Sequence, residues 1–186
     1  ANNKKANLIN CWKEEAKITL GENTAEGGKF AFKSLEAATN ALQKGEVDVL
    51  VTAPINKQNI QSDSFQFPGH TEYLAAKGKG DALMLMLSEI MRIGVVTGHL
   101  PLEQVSANIS QEKVLEKLRL LNNSLKQDFG IRKPKIAVLG LNPHAGDQGV
   151  LGKEENDIIS PALKKAKEEN IVSFGPYPAD SFFGSD

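Results

Sequence analysis

Apolar residues in this chain change period repeatedly along its length, and that switching limits the possible folds more than any other feature. Phe30, Leu35, Ala38 and Leu42 lie on one helical stripe that closes at Gly45, and Val47-Asp48-Val49-Leu50-Val51 then reads as a strand. Two further apolar runs, Leu83-Met84-Leu85-Met86-Leu87 and Ile93-Gly94-Val95-Val96, do not alternate cleanly, the pattern of strands buried on both faces. Ser110 is a suitable N-cap for a helix reaching about Phe129, with Val114, Leu118, Leu121 and Leu125 on one stripe and Gly130 as its stop. Ile136-Ala137-Val138-Leu139 follows as a strand. Residues 154–169 read as a helix in which Ser160-Pro161 marks a kink or a restart and Asn170 the end, and Ile171-Val172-Ser173-Phe174 reads as a strand. Helices alternating with strands predict an α/β layered fold, because parallel neighbouring strands need crossover connections.

Composition excludes several functions. The 186 residues, 40% of them hydrophobic, can bury a core of ordinary domain size. With 22 Lys plus Arg against 23 Asp plus Glu, no global field draws the chain to nucleic acid or to an anionic membrane. Cys11 is the single cysteine, so it has no partner for an internal disulfide, which fits a reducing compartment. No apolar run approaches the ~20 residues needed to cross a bilayer, and no signal-peptide core opens the chain, so a cytoplasmic protein is expected. The chain begins Ala1-Asn2-Asn3-Lys4 without an initiator Met and stops just after a Gly/Pro-rich turn region, so a piece cut from a larger protein is expected.

The chemistry concentrates in loops. The histidines number three, and all stand beside Gly or Pro: Pro68-Gly69-His70-Thr71, Thr97-Gly98-His99-Leu100-Pro101 and Asn142-Pro143-His144-Ala145-Gly146. His99 and His144 each follow an apolar strand run, the position at which open α/β sheets bind ligands. One loop histidine by itself more often completes a turn, but neutral imidazoles are also common metal ligands and can be gathered from distant loops. Their spacing matches no local metal motif. Thr52, Asn56 and Lys57 form a polar cluster after the Val47–Val51 run, in which Lys57 is either a contact for an anionic substrate or a solvated loop lysine. Asp180 is a base, a ligand or a local cap. Gly78-Lys79-Gly80 does not continue into a dinucleotide fingerprint, and no phosphate-cradling P-loop occurs. Gly146, Gly149 and Gly152 allow positive φ and close backbone approach, but their spacing fits no nucleotide fingerprint either.

Taken together, these loops resemble the 4-hydroxythreonine-4-phosphate dehydrogenase family. The strings are VTAPINK (51–57), FPGHTEYLA (67–75), VVTGHLPL (95–102), KIAVLGLNPHAGDQGVLGKEE (135–155) and FGPYPAD (174–180), in family order. The resemblance implies an isocitrate/isopropylmalate dehydrogenase-like fold, with the chain as its central domain, including the dimerisation region, and an incomplete flanking domain. His99 and His144 align with two of the family's three metal-ligating histidines. His70 and Thr71 align with residues that hold the phosphorylated substrate, and Asp180 with an acidic residue of the active site. The third metal histidine of the family lies in a His-Asp-Gln-Gly string downstream of the PAD segment and is not in this sequence, so His70 is not promoted to that role.

The implied cofactors are NAD, whose contacts cannot be placed on residues of this chain, and a divalent cation: zinc, magnesium, manganese or cobalt, since imidazole suits several. The implied reaction is oxidation and decarboxylation of 4-phosphohydroxy-L-threonine to 3-amino-2-oxopropyl phosphate, on the route to pyridoxal phosphate, by a homodimer. Two alternatives are a metal-dependent hydrolase, whose usual H-x-H, H-E-x-x-H or clustered carboxylates are missing, and a non-catalytic dimerisation segment.

Overall fold

In the computed structural model, which describes residues 5–78 and 80–184, the first long element is helix α1, Ala25–Gln43. Lys79 of the Gly78-Lys79-Gly80 string lies outside the described residues, as do both chain ends. Thr24 starts α1 by accepting the Gly27 amide on its hydroxyl at 3.1 Å, which satisfies one donor that the first turn would otherwise leave open. The helix ends, as its stripe predicts, where Gly45 turns to φ +69°. α1 and helix α2, His70–Lys77, belong to a unit that ends at Ala82. Its core is Leu35, Ile60, Phe65 and Tyr73, with Phe32 and Phe67 stacked around Phe65 and Tyr73 at ring separations of 5.3–6.1 Å. Gly28 is required here: a Cβ at that position would lie 1.9 Å from the Asn59 carbonyl oxygen.

The strand expected over residues 47–51 does not form. The segment pairs with no other among the described residues, and Val49 and Val51 are 74% and 89% exposed. Strand propensity is realised only where a neighbouring strand supplies the ladder, and this unit provides none.

The unit beginning at Leu83 carries the sheets. Strands β1, Leu85–Leu87, and β2, Arg92–Gly94, pair antiparallel, with Leu85 opposite Gly94 and Leu87 opposite Arg92. This corrects the reading of strands buried on both faces, for Met86 and Leu87 are 51% and 56% exposed. The connection is a tight turn in which the Ser88 amide donates to the Met91 carbonyl, and so short a link joins only antiparallel strands.

Helix α3, Gln111–Gln127, begins at the expected cap, the Ser110 hydroxyl accepting the Lys113 amide at 3.2 Å. Its buried face of Val114, Leu115, Leu118 and Leu125 packs with Ile136, Ile159, Ala162, Leu163, Ala166 and Ile171 into one core. Burying each large side chain contributes about 1.5–3 kcal/mol. Strand β3, Ile136–Leu139, runs parallel to strand β4, Ser173–Tyr177, and helix α4, Ser160–Glu168, lies between them in sequence. This helix–strand alternation makes the chain α/β. The expected break at Pro161 takes the form of a widened π turn over Glu155–Ile159 leading into α4, because proline lacks an N–H and crowds the carbonyl four residues back. Asn170 ends the helix at φ +61°. No helix among the described residues is long and apolar enough to cross a membrane.

Candidate active site

Because β3 and β4 are parallel, their C-terminal ends share one sheet edge, and the loops leaving them meet. The Gly140 amide still donates to the Tyr177 carbonyl at 2.8 Å, holding the two loop entrances together. Beyond that point His144 Nδ1 lies 2.7 Å from Asp180 Oδ2. A carboxylate oxygen can only accept, so a neutral imidazole bonded to it through Nδ1 would carry its lone pair on Nε2. The close contact restricts the ring's rotation. The His144 side chain is 70% exposed, open to another partner.

The backbone under His144 is unusual. Residues 144–148 are all left-handed, with φ of 52°, 51°, 79°, 43° and 56°, and only Gly146 among them is glycine. Such a conformation costs a non-glycine residue about 1–2 kcal/mol, so the surroundings must hold it. The buried side chain of Glu155, 2% exposed, lies inside the loop. Its Oε1 accepts the Leu141 and Asn142 amides at 2.7 and 2.8 Å, and its Oε2 accepts Asn142 Nδ2 at 2.9 Å. Burial pushes the Glu155 carboxyl up, but the donors of Asn142 and Leu141 outweigh it and hold it below the ordinary glutamate value. Glu154 accepts the Ser106 hydroxyl at 2.6 Å and Asn142 Nδ2 at 2.8 Å, and chiefly these two bonds lower its carboxyl to about 2.

His99 stands in the loop after β2, exposed and also left-handed at φ +48°. In the first unit, half-buried His70 and exposed Thr71 are the opening residues of α2. Lys57 runs beside the residue preceding them, its Cε 3.6 Å from where a Gly69 Cβ would stand. Asn56 shapes that turn by accepting the Gln58 and Asn59 amides.

No three His, Cys, Asp or Glu side chains converge to hold a metal among the described residues. The donors still suit part of such a centre: exposed imidazoles, one of them oriented by a carboxylate. A cleft of about 540 Å³ is walled mainly by apolar residues such as Ile93, Leu118, Leu121 and Phe183, and none of His99, His144 or Asp180 lines it. Sequence reasoning missed Ser106, Asn142, Glu154 and Glu155. The last three fall inside the quoted 135–155 string, yet nothing in their spacing marks a buried carboxylate.

A parallel strand pair backed by helices defines an α/β protein, and the histidine–carboxylate pair lies beyond its C-terminal edge, the place where open α/β sheets bind ligands. Residues 1–186 match the family described as pyridoxal phosphate biosynthetic protein PdxA, and the chain belongs to that family. It is 47% identical over 180 residues to 4-hydroxythreonine-4-phosphate dehydrogenase of Bacteroides thetaiotaomicron, covering 96% of this chain and 50% of the relative. A Sulfurihydrogenibium enzyme of the same name is 40% identical over 95% of this chain and 54% of its own. The crystal structure of the Klebsiella pneumoniae enzyme superposes with a TM-score of 0.83 at 32% identity, over 90% of this chain and 50% of that one. The chain thus spans about half the length of the curated relatives it matches.

Proposed function

We propose that this chain carries part of the substrate and metal site of an NAD-dependent 4-hydroxythreonine-4-phosphate dehydrogenase. The observation that carries the reading is the His144–Asp180 pair at the C-terminal edge of the parallel strands, in loops whose wording belongs to that family. On this reading His99 and His144 hold a divalent cation (zinc, magnesium, manganese or cobalt), and His70 and Thr71 bind the phosphorylated hydroxy amino acid.

A cation held by His99 and His144 would supply charge stabilisation beside the substrate hydroxyl, and NAD would supply the hydride acceptor. The chain's own residues position these events. Asp180, the candidate acidic residue of the site, stands against Nδ1 of His144 and so orients the ring with Nε2 as the nitrogen offered to the cation. His70 and Thr71, at the first turn of α2, present a ring nitrogen, a hydroxyl and open backbone amides to an anionic group. Loss of the hydroxyl proton, and of a hydride to NAD, would give a β-keto acid; departure of its carboxylate as carbon dioxide and uptake of one proton at the same carbon would leave 3-amino-2-oxopropyl phosphate.

The remainder of the reading is an isocitrate/isopropylmalate dehydrogenase-like layering, with this segment as its central, dimerising part in a cytoplasmic homodimer. The test is NADH formation from 4-phosphohydroxy-L-threonine with NAD and each divalent cation. Turnover is expected from the intact protein and little or none from the 186-residue chain alone, where positioning of the nucleotide is incomplete. Failure of the intact protein to reduce NAD with any of these cations would overturn the reading.

A further inference from the structure

We propose that Glu155 is a positioning residue for His144: its carboxylate holds the loop over residues 140–146 closed, so that the imidazole keeps Nδ1 on Asp180 and offers Nε2 outward. The metal-binding consequence rests on the reading of His144 as a ligand; the geometric one does not.

The observations are local and mutually dependent. The carboxylate takes the amides of Leu141 and Asn142 on one oxygen and the Asn142 side chain on the other, so it grips the strand exit just before Pro143 and His144. Its two oxygens also fill the spaces left by two glycines. A Cβ at Gly140 would stand 3.0 Å from Oε1, and one at Gly146 only 2.6 Å from Oε2. The histidine lies between these glycines, on backbone that no intrinsic preference maintains.

Among the described residues, no cation pairs with Glu155, and its hydrogen-bond partners are all N–H groups. Burying an unpaired charge is costly. That cost is offset because hydrogen bonds to an ionised acceptor are roughly twice as strong as neutral ones. A carboxylate therefore serves better than a neutral side chain where several donors of a strained loop must be gathered at one point. Asn142 extends the clamp to Glu154, and through Glu154 to Ser106 in the short helical turn before α3.

The experiment compares Glu155→Ala and Glu155→Gln with wild type in the intact protein, using two readouts besides activity. The first is the imidazole nitrogen chemical shifts of His144 without metal, which report whether the proton stays on Nδ1. The second is zinc affinity by calorimetry. Glu155→Ala is expected to shift His144 toward a mixture of tautomers and to weaken zinc about 10–100-fold, the usual effect of losing an orienting contact around a ligand. Glu155→Gln keeps an acceptor oxygen for the two amides, and should retain the Nδ1 signature and bind zinc within about threefold of wild type. His144→Ala separates the two claims: unchanged zinc affinity in that variant would sink the metal reading, while the metal-free tautomer shifts would still decide the role of Glu155. Wild-type tautomer shifts in folded Glu155→Ala would overturn the proposal. If Glu155→Ala does not fold, the same shifts are read in Glu155→Asp, whose shorter side chain draws the carboxylate away from the Leu141 and Asn142 amides, and wild-type tautomer shifts in that folded variant would overturn it instead.

Discussion

In the first unit His70 and Thr71 occupy the opening turn of α2, a regular helix whose Tyr73 is buried among Phe32, Phe65 and Phe67. His144 in the second unit occupies a left-handed loop gathered round a buried carboxylate. Helix geometry and aromatic packing position the former pair without unusual dihedrals. The latter residue needs four non-glycine neighbours or itself in αL, and polar bonds that are lost if one partner changes. The comparison teaches that a candidate substrate-holding position can come from the core alone, whereas an oriented imidazole here depends on a dedicated polar scaffold.

The largest expected effect on that comparison comes from one crowded glycine in each unit. Gly28→Ala places a Cβ 1.9 Å from the Asn59 carbonyl oxygen, a backbone atom that cannot rotate away, and should cost about 3 kcal/mol or more in denaturant unfolding. Gly146→Ala meets Glu155 Oε2 at 2.6 Å and the Gly152 carbonyl oxygen at 2.9 Å, with φ already +79°. Its cost should be smaller, about 2–3 kcal/mol, but it should also displace the His144 proton from Nδ1. A Gly146→Ala protein with unchanged stability and unchanged His144 shifts would show that the loop is not held as described.

Acid should separate the units next. Glu154 and Glu14 both have carboxyls lowered from 4.5 to about 2, the former chiefly by the Ser106 hydroxyl and the latter chiefly by Lys33. A depressed carboxylate contributes stability that is fully present above its unfolded value and is lost as pH falls through its folded one, here between about 4.5 and 2. The Glu14–Lys33 pair is half exposed and ionic, so added salt should shrink its share, whereas the neutral donors on Glu154 should leave its share nearly salt-independent. Titration of the two carboxyls by NMR at low and high salt checks this. Equal salt sensitivity would contradict the distinction.

Much of the regular structure was legible because its causes are local. The α3 stripe and the Ser110 cap, the Gly45 and Asn170 terminations, and the break before Pro161 all follow from side chains acting within one or two turns. Residues 47–51 do not form the expected strand because a strand exists only with a partner, and the Leu83–Leu87 and Ile93–Val96 runs are not buried on both faces because a short turn pairs their strands antiparallel at a half-exposed surface. The candidate site divides the same way. His99 and His144 stood out as loop residues after strands, and Asp180 gained a role only through the resemblance and then through its contact with His144. Glu155 was not legible, since an acid at a helix start ordinarily faces water and only the folded loop buries it.

Helix caps give the smallest expected effect. Thr24→Ala and Ser110→Ala each remove one accepted amide and should each cost about 1 kcal/mol by denaturant unfolding, without altering His144. A much larger loss at either would mean that the caps also support packing.

Zinc affinity of the intact protein bearing His99→Ala, His144→Ala or His70→Ala tests the central claim most directly. The account predicts a fall of at least about tenfold for each of the first two, because a ligand is lost, and an affinity near wild type for His70→Ala, whose defect should instead appear in binding of the phosphorylated substrate. Zinc binding that survives both His99→Ala and His144→Ala, or that is lost in His70→Ala alone, would contradict it.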